Sequence, residues 1–412
     1  FYYRIPPGRR SRLHLRVGVR EEAGYALQAS DIAGGLALHF EEGRDFERAL
    51  QYLLLAGGKA VQRCANREAI ELFTRGLSLL AYLPDSSRRL RSELALRLAL
   101  GPPLIHSHGY AADIVERTYA RARALQEEVG ESSQLLSILW GQWLYFVVRG
   151  EHAVAVDIGL ELQRLERQQD LNFPWAHYAV GCSMFWLGNA EESTQALEHG
   201  LARYEVETHA GMVSAFSQDP KTVCLLYRGW DEWLLGRPDQ ALASCVTAAR
   251  WAESLAHPFS LAFAIDYSAV VLFLRREPER VRERAELAMT LSAEHGFPFW
   301  HAWADMMLGW ADAVGAGSAD GIGRLRNGLA AYEATGARMG KSLFLLMLAD
   351  ACSTIGSIQE GLDAVAEAIA FCGASKEHAF LPELYRLEGE LVLAAGAHHA
   401  ISQATADLRA AA

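Results

Sequence analysis

Small residues recur every forty positions through the second half of this chain of 412 residues, and this spacing restricts its fold more than any other feature. The repeat has three such positions, and a single arginine is the one large residue that occupies any of them. The three sets are Gly236, Arg276, Ala316, Gly356 and Gly396; Gly229, Ala269, Gly309, Ala349 and Gly389; and Ala248, Ala288, Gly328 and Ala368. A fixed period of this size is typical of stacked helical hairpins, none of which can bury its apolar face alone.

The remaining sequence pattern is helical. Only 12 prolines occur, and long stretches contain none. Apolar residues recur three and four apart in the second helix of each predicted hairpin, as at Ala241, Cys245 and Ala248. We therefore predict an all-α protein, a right-handed α-solenoid of tetratricopeptide-like helical hairpins with a period near 40 residues. The small residues are expected where two helix backbones cross closely.

Composition argues against several classes of function. The net charge of −11 argues against a general nucleic-acid binder, although arginines crowd the first twenty residues. The longest apolar stretch, residues 259–274, contains Asp266 and is too short to span a bilayer comfortably. The six scattered cysteines form no C-x-x-C pair and are expected to be buried free thiols. We expect a soluble, cytoplasmic protein that binds neither nucleic acid nor membrane.

Shifts in composition divide the chain into three parts. The first residue is Phe1 rather than methionine, and no signal peptide is visible, which indicates a piece of a longer protein. We interpret residues 1–25 as the tail of an upstream module, residues 26–85 as short opening helical hairpins, and residues 86–412 as a long tetratricopeptide-like solenoid.

Three segments interrupt the regular pattern of the solenoid. The segment from Gly101 to Asp113 contains two prolines and is expected to break one helix and cap the next. The segment from Glu205 to Pro220 is an irregular insert that lengthens one repeat from forty to forty-eight residues. After Gly396 the apolar pattern weakens, so we expect the last regular helix to end there.

Aromatic side chains form the candidate binding surface. Nine of the ten tryptophans lie on the first helix of a predicted hairpin, and only Trp251 lies on a second helix. First helices line the concave face of stacked hairpins. The residues predicted to bind a partner or ligand on that face are Trp175, Tyr178, Trp186, Trp230, Trp233, Phe263, Asp266, Trp303 and Trp310. An aromatic groove suits an apolar ligand, a peptide or another domain of the same polypeptide. The alternative is that these rings fill the space between long helices, as large aromatic side chains ordinarily do.

No pattern in the sequence indicates catalysis. There is no G-x-x-x-x-G-K-[ST] loop to hold phosphates and no G-x-S-x-G nucleophile. His106 and His108 have a spacing that can chelate a metal, but no third ligand is evident, and solvated loop histidines explain the pair. Asp266 is either a groove residue that fixes a ligand's cation or amide, or a half-exposed or hydrogen-bonded carboxylate. We predict no catalytic residue, no metal and no cofactor.

Several stretches resemble one bacterial family. These are R-I-P-P-G-R-R-S-R-L-H near the start, L-H-F-E-E-G-R-D-F-E-R-A-L-Q-Y-L, H-P-F-S-L-A-F-A and E-L-Y-R-L-E-G-E-L. Together they resemble the long tetratricopeptide-like C-terminal region of predicted signalling ATPases of the STAND class, many of which carry a class III adenylate/guanylate cyclase domain. The resemblance extends from Phe1 to about Ala395. It implies that residues 1–25 end a winged-helix part of the ATPase module, and that the ATP-binding and cyclase residues lie upstream.

Three hypotheses for the function follow. The first is a non-catalytic scaffold that binds a protein or peptide partner, or the upstream ATPase or cyclase domains of the same polypeptide, on its concave face. The second is a small-molecule effector-binding pocket of a transcriptional or signalling regulator, which a closed cavity near Trp175, Trp230, Asp266 and Trp303 would favour. The third is an enzyme with an unrecognised site, which would require a cluster of strongly shifted titrating groups in a cleft.

Overall fold

The structure, a computed structural model, describes residues 4–130 and 134–411, with side chains as far as residue 396. Every regular element within these ranges is a helix, and none is a strand. The predicted all-α fold class is therefore confirmed. In the same residues, no helix is both long and apolar enough to cross a membrane. The chain divides into two compact units, which are described separately.

The first unit consists of Phe1–Ser107, Asp113–Gln142 and Ser214–Ser217. Its helices are α1 (Pro7–Tyr25), α2 (Ala33–Glu42), α3 (Phe46–Gln62), α4 (Asn66–Leu79), α5 (Ser87–His108), α6 (Asp113–Val129) and the beginning of α7 (Leu135–Val148). Helices α3 and α4 form a short hairpin and pack closely where Gly57 faces the ring of Phe73. Helix α1 packs against α2 in this unit. The origin of residues 1–25 in an upstream module stays a prediction.

The preceding helix ends inside the segment Gly101–Asp113, as expected, but its two prolines do not break it. Helix α5 continues through Pro102 and Pro103 and ends at His108, after which the chain turns and α6 begins. Each proline removes one backbone donor, and in an exposed helix this costs about 3 kcal/mol. Here residues 100–106 are all buried, and their packing offsets that cost. Helix α6 begins at Asp113, the last residue of that segment.

The second unit consists of His108–Ala112, Trp143–Val213 and Gln218–Ala412. After the end of α7 its helices are α8 (His152–Gln168), α9 (Pro174–Trp186), α10 (Ala190–Ala202), α13 (Pro220–Leu234), α14 (Pro238–Ser254), α15 (Pro258–Leu274), α16 (Pro278–His295), α17 (Pro298–Ala316), α18 (Ala319–Ala334), α19 (Lys341–Ile355), α20 (Ile358–Ser375) and α21 (Leu381–Ala411). The single-turn helices α11 (Val206–His209) and α12 (Val213–Phe216) lie between α10 and α13. The first helices of successive hairpins (α9, α13, α15, α17, α19 and α21) contact one another in chain order. This is the stacking that the forty-residue period predicts.

The three sets of small residues that recur every forty positions, which we call columns, have two different roles. Gly309 confirms the expected close crossing, because a Cβ atom added there would lie 2.6 Å from the backbone nitrogen of Leu325 on the partner helix. The column that begins with Gly236 instead ends the first helices. Gly236, Arg276 and Gly356 have φ values of +75°, +60° and +82°, the left-handed conformation that closes a helix. Arg276 adopts this conformation although a side chain makes it unfavourable by about 1–2 kcal/mol.

The insert predicted between Glu205 and Pro220 is packed rather than open. Asp219 is completely buried. Its carboxylate accepts hydrogen bonds from the backbone N–H of Thr222 (2.7 Å), the hydroxyl of Tyr204 (2.7 Å) and the indole of Trp251 (3.0 Å). Asp219 therefore caps α13 and connects the insert to the α13–α14 hairpin.

The helix break expected at Gly396 is wrong. Helix α21 runs without interruption from Leu381 to Ala411. Glycine alone does not end a helix, because its unfavourable effect of about 1 kcal/mol relative to alanine is small beside the cooperative gain of a long helix. All six cysteines are free and five of them are buried, in agreement with the expectation of buried thiols.

Candidate binding groove

A continuous cluster of rings fills the space between the first helices of the second unit, and we call it the aromatic interior. Tyr267 stands at its centre, stacked against Trp230 at 4.5 Å and against Trp303 at 4.9 Å between ring centroids. Trp186 packs edge-on against Trp230 at 5.9 Å, and Phe344 packs edge-on against Trp303 at 4.7 Å. These five rings are each at most 1% exposed.

Hydrogen bonds between consecutive first helices follow the same forty-residue spacing. The indole N–H groups donate as follows: Trp143 to the Ser183 hydroxyl at 3.1 Å, Trp186 to the Tyr227 hydroxyl at 3.0 Å, and Trp310 to the Asp350 carboxylate at 2.8 Å. A buried indole N–H without a partner is unfavourable, so these bonds fix the register between neighbouring hairpins. The period is therefore visible in polar contacts as well as in small residues.

Loops from the end of the unit cover the aromatic interior. The backbone N–H groups of Arg338 and Met339, between α18 and α19, donate to the carbonyl of Val148 at 2.8 and 3.0 Å. The N–H of His378, between α20 and α21, donates to the carbonyl of Trp186 at 2.7 Å. The last hairpins of the unit thus contact its first helices directly, and the predicted concave face is closed by the chain itself.

A buried carboxylate holds this closure together. Glu377 accepts hydrogen bonds from the backbone N–H groups of Gly340 (2.9 Å) and Ser342 (3.1 Å). One of its oxygens also lies 3.2 Å from Nε2 of His152, a residue at the start of α8, and neither of the two side chains is exposed. We call Glu377 and these three partners the clasp. The clasp joins residues that are 225 positions apart in the sequence.

The structure places most of the predicted site residues inside the protein. Eight of the nine are at most 3% exposed: Trp175, Tyr178, Trp186, Trp230, Phe263, Asp266, Trp303 and Trp310. Only Trp233 is partly exposed. These eight side chains are out of reach of a partner in this conformation, and a direct role for them in binding stays a prediction. A small cavity lies among the rings, and Trp143 and Trp300 line it. Its volume is about 10 Å³, so it can hold at most about one water molecule.

Asp266 does not reach a ligand either. Its carboxyl group is completely buried, and neither oxygen has a hydrogen-bond partner in the part of the chain that the structure describes. Burial raises the pKa of Asp266 well above the ordinary value. An enclosed carboxyl group does not reach a ligand's cation.

An open groove lies at one end of the aromatic interior, and we call it the end groove. It encloses about 900 Å³. Its apolar lining includes Trp233 and Leu234 of α13, Phe273 of α15, Phe380 just before α21, and Leu387 within α21. Phe380 also contacts Trp186 and Trp230, so it separates the groove from the interior. Leu234 is 36% exposed, which shows that this apolar surface is accessible.

Charged side chains surround the apolar floor of the end groove. Arg276 donates to Asp350 at 2.6 Å, and the other oxygen of that carboxylate is held by the indole of Trp310. Arg386 donates to Glu383 at 2.7 Å and to Glu390 at 2.5 Å. The hydrogen bond to Glu383 raises the pKa of the Arg386 guanidinium, which therefore remains charged. Two arginines thus face three carboxylates around one apolar surface.

Sequence reasoning missed most of the groove. Of the nine predicted site residues only Trp233 lines the groove. Trp310 contacts a residue of the groove, because its indole N–H donates to the Asp350 carboxylate. One signal was available for Arg276, because it is the single large residue in a column of glycine and alanine. Nothing in the spacing indicated Phe380 or Arg386, which come from the last hairpin.

The histidine pair does not form a metal site. His106 is buried in α5 with its Nδ1 atom 3.3 Å from the side-chain oxygen of Asn66, so the expectation of a solvated loop histidine is wrong for this residue. His108 lies at the exposed end of the same helix. In the described ranges no group of three histidine, cysteine, aspartate or glutamate side chains is placed to hold a metal ion.

Comparison with known proteins identifies the fold but no family. No protein-family model matches the chain. An uncharacterized protein of Rhizobium meliloti (strain 1021) is 28% identical over 410 residues, a match that covers 98% of this chain and 39% of that protein. The chain therefore spans about two fifths of the length of this curated relative.

Two solved structures are similar in fold. A Rap protein complexed with competence and sporulation factor has a TM-score of 0.52 and 10% identity, and the match covers 84% of this chain and 99% of that one. The Rap conjugation gene regulator of the plasmid pLS20, in complex with the Phr* peptide, has a TM-score of 0.53 and 14% identity, and the match covers 79% and 96% of the two chains. At such low identity these similarities establish a solenoid of tetratricopeptide-like hairpins and nothing about the site.

Proposed function

We propose that this chain is a non-catalytic regulatory scaffold that binds a peptide or protein segment in the end groove. The observation that carries the proposal is an accessible apolar floor, formed by Trp233 and Leu234 beside the buried Phe273, inside a rim of charged side chains. This arrangement of an apolar centre and a polar rim is typical of protein interfaces. The two Rap structures described above are complexes with competence and sporulation factor and with the Phr* peptide, which supports the same class of partner for this chain.

The form of the cavities favours a peptide over an enclosed small molecule. Small-molecule sites are usually enclosed cavities of about 300–1,000 Å³ that bury most of the ligand. The cavity among the predicted rings holds only about 10 Å³, whereas the end groove, at about 900 Å³, is open and leaves Leu234 of its floor exposed. An open groove suits a chain that enters at one end and leaves at the other.

We further propose that binding is transmitted to an upstream module of the same polypeptide. The curated relative is much longer than this chain, and the motifs near Arg4 and Phe40 resemble those that follow a STAND-type ATPase, often fused to a nucleotide cyclase. A partner that prefers one arrangement of stacked hairpins biases whatever is packed against them, by linkage. The ATPase or cyclase context rests on this resemblance.

A selection experiment tests the binding function. A phage-displayed library of random short peptides is selected on the immobilised chain, and the enriched peptides are measured by fluorescence polarisation. We expect enriched peptides to bind the native chain, and to bind at least about tenfold more weakly to Trp233→Ala, because interface tryptophans commonly contribute 2 kcal/mol or more.

The matched control is Leu287→Ala. Leu287 is also an exposed apolar side chain, but it lies on the second helix α16 and does not line the end groove. Loss of affinity in both variants, or in neither, would rule out the end groove as the binding surface.

A further inference from the structure

We infer that the segment recognised by the end groove carries a basic side chain between apolar ones. This inference rests on the proposed function and specifies the chemistry of the partner. Three features of the groove support it: an apolar floor, an excess of carboxylates on the rim, and the ends of several helices.

The apolar floor requires apolar side chains on the partner. Trp233 and Leu234 are the accessible apolar side chains of the groove, and the buried Phe273 and Leu387 lie beside them. Covering exposed apolar surface contributes roughly 25 cal/mol for each Å² removed from water. A fully polar segment would leave Trp233 and Leu234 uncovered and would gain little from binding.

The carboxylates leave an unbalanced negative charge. Arg276 is engaged by Asp350, whereas Arg386 is shared between Glu383 and Glu390. Glu383 and Glu390 have side-chain exposures of 39% and 59%, so both can accept a further hydrogen bond from a partner. An incoming guanidinium or ammonium group would pair with the second of these carboxylates without displacing Arg386.

Helix ends add to the attraction for a cation. Four helices end at the groove, because Gly188 follows α9 while Leu234, Leu274 and Thr354 lie in the last turns of α13, α15 and α19. The C-terminal end of each helix carries about half a negative charge, which stabilises a nearby cation by about 0.3–1 kcal/mol. Two helices, α10 and α21, begin at the groove with Ala190 and Pro382 in their first turns. The acidic residues of those turns, Glu191 and Glu192 in α10 and Glu383 in α21, offset the positive charge of the two helix starts.

The local charges therefore disfavour an acidic partner. A carboxylate placed in the groove would meet four negative helix ends and three carboxylates. Arg276 and Arg386 would have to leave existing ion pairs to bind it. We expect a difference of about 1.4 kcal/mol between a basic and an acidic peptide, which is about tenfold in affinity.

Matched peptides test this inference. Three blocked synthetic peptides have leucine at both ends and differ only at the centre, which is arginine, glutamine or glutamate. Isothermal titration calorimetry with the full chain should give the order arginine, glutamine, glutamate, with about tenfold between the first and the last. The difference should decrease at high salt, since it is electrostatic.

The double variant Glu383→Gln and Glu390→Gln tests the assigned carboxylates. It leaves Arg386 unpaired, and we expect the preference for arginine to fall by about fivefold or to reverse. Glu283→Gln is the matched control, because Glu283 is exposed on α16 and does not line the groove. Trp233→Ala should weaken all three peptides together.

The possible results separate this inference from the proposed function. Equal or tighter binding of the glutamate peptide, with the loss in Trp233→Ala retained, overturns the inference and leaves the binding function intact. If Trp233→Ala does not change the binding, both the inference and the proposed function are overturned. The same holds if neither these peptides nor any peptide from the library selection binds. Binding of free arginine amide as tight as that of the arginine peptide overturns recognition of an apolar and basic segment.

Discussion

The aromatic interior and the end groove are built from the same helices but meet different surroundings. Trp230 and Trp233 are one turn apart on α13. Trp230 stacks on Tyr267 and is 1% exposed, whereas Trp233 lines the open groove. The difference arises from loops much later in the chain, one of which places Phe380 over the interior. The aromatic residues that recur along the first helices, which we call the aromatic stripe, therefore form a core where other parts of the chain cover them. They form a candidate binding surface only where they remain uncovered.

The largest expected contrast is between these two tryptophans. Trp230→Ala should lower the free energy of unfolding by about 3–5 kcal/mol, since it opens a cavity among rigid rings. Trp233→Ala should lower it by about 1 kcal/mol or less, because the side chain is already partly in water. Urea titrations followed by circular dichroism measure both. Similar losses for the two variants would remove the distinction between interior and groove.

The clasp provides the next contrast. Glu377→Ala should lower the free energy of unfolding by about 3 kcal/mol, because it leaves His152 and two backbone N–H groups buried without their partner. Glu383→Ala, on the exposed rim of the end groove, should change it by about 0.5 kcal/mol or less. Thermal unfolding of both variants tests the closure. A small effect of Glu377→Ala would mean that the clasp contributes little to it.

Two glycines of the same repeat column should respond in opposite directions. Gly309→Ala should lower the free energy of unfolding by about 1–3 kcal/mol, since the added Cβ would lie 2.6–2.7 Å from backbone atoms of α18. Gly389→Ala on α21 should raise it by about 0.4–1 kcal/mol, because nothing lies within 4 Å of the new atom. Differential scanning calorimetry of the two variants measures both changes in stability. A destabilising Gly389→Ala would show that α21 packs more closely than described.

The smallest contrast concerns pH. Burial raises the pKa of Asp231 from 3.8 to about 8. The folded state therefore holds a proton that the unfolded state releases, and stability decreases as pH rises between about 4 and 8, by at most about 1.4 kcal/mol for each pH unit. Asp231→Asn should reduce this slope, while Asp239→Asn, with a side chain that is 94% exposed, should not. Urea titrations at pH 6 and pH 7 measure the change, and an unchanged slope in Asp231→Asn would contradict it.

Local features of the sequence were sufficient to predict the hairpins. Pro258 and Pro298 begin helices because a missing N–H is harmless in the first turn. Gly309 identified a close crossing because only a residue without Cβ fits there. Each of these inferences depends on contacts within one hairpin or between neighbours, which a repeat preserves.

Contacts between distant hairpins could not be predicted in this way. Glu377 and His152 occupy no matching positions of the repeat, so their pairing has no periodic signal. The prolines of α5 were misinterpreted for the same reason, since the packing that keeps the helix intact, with Gly101 against Tyr119, comes from another helix. The covering of most of the predicted aromatic residues by later loops likewise has no periodic signal, and the assignment of the site to those residues stays a prediction.

Oxidative footprinting of the tryptophans, in the free protein and with the arginine peptide bound, tests the central claim that the stripe is accessible only at the end groove. We expect Trp233 and Trp251 to be oxidised rapidly in the free protein and the eight buried tryptophans slowly, and we expect the peptide to protect Trp233 alone. Rapid oxidation of Trp230 and Trp303 in the free protein, or protection of these two rings instead of Trp233 by the peptide, would contradict the account.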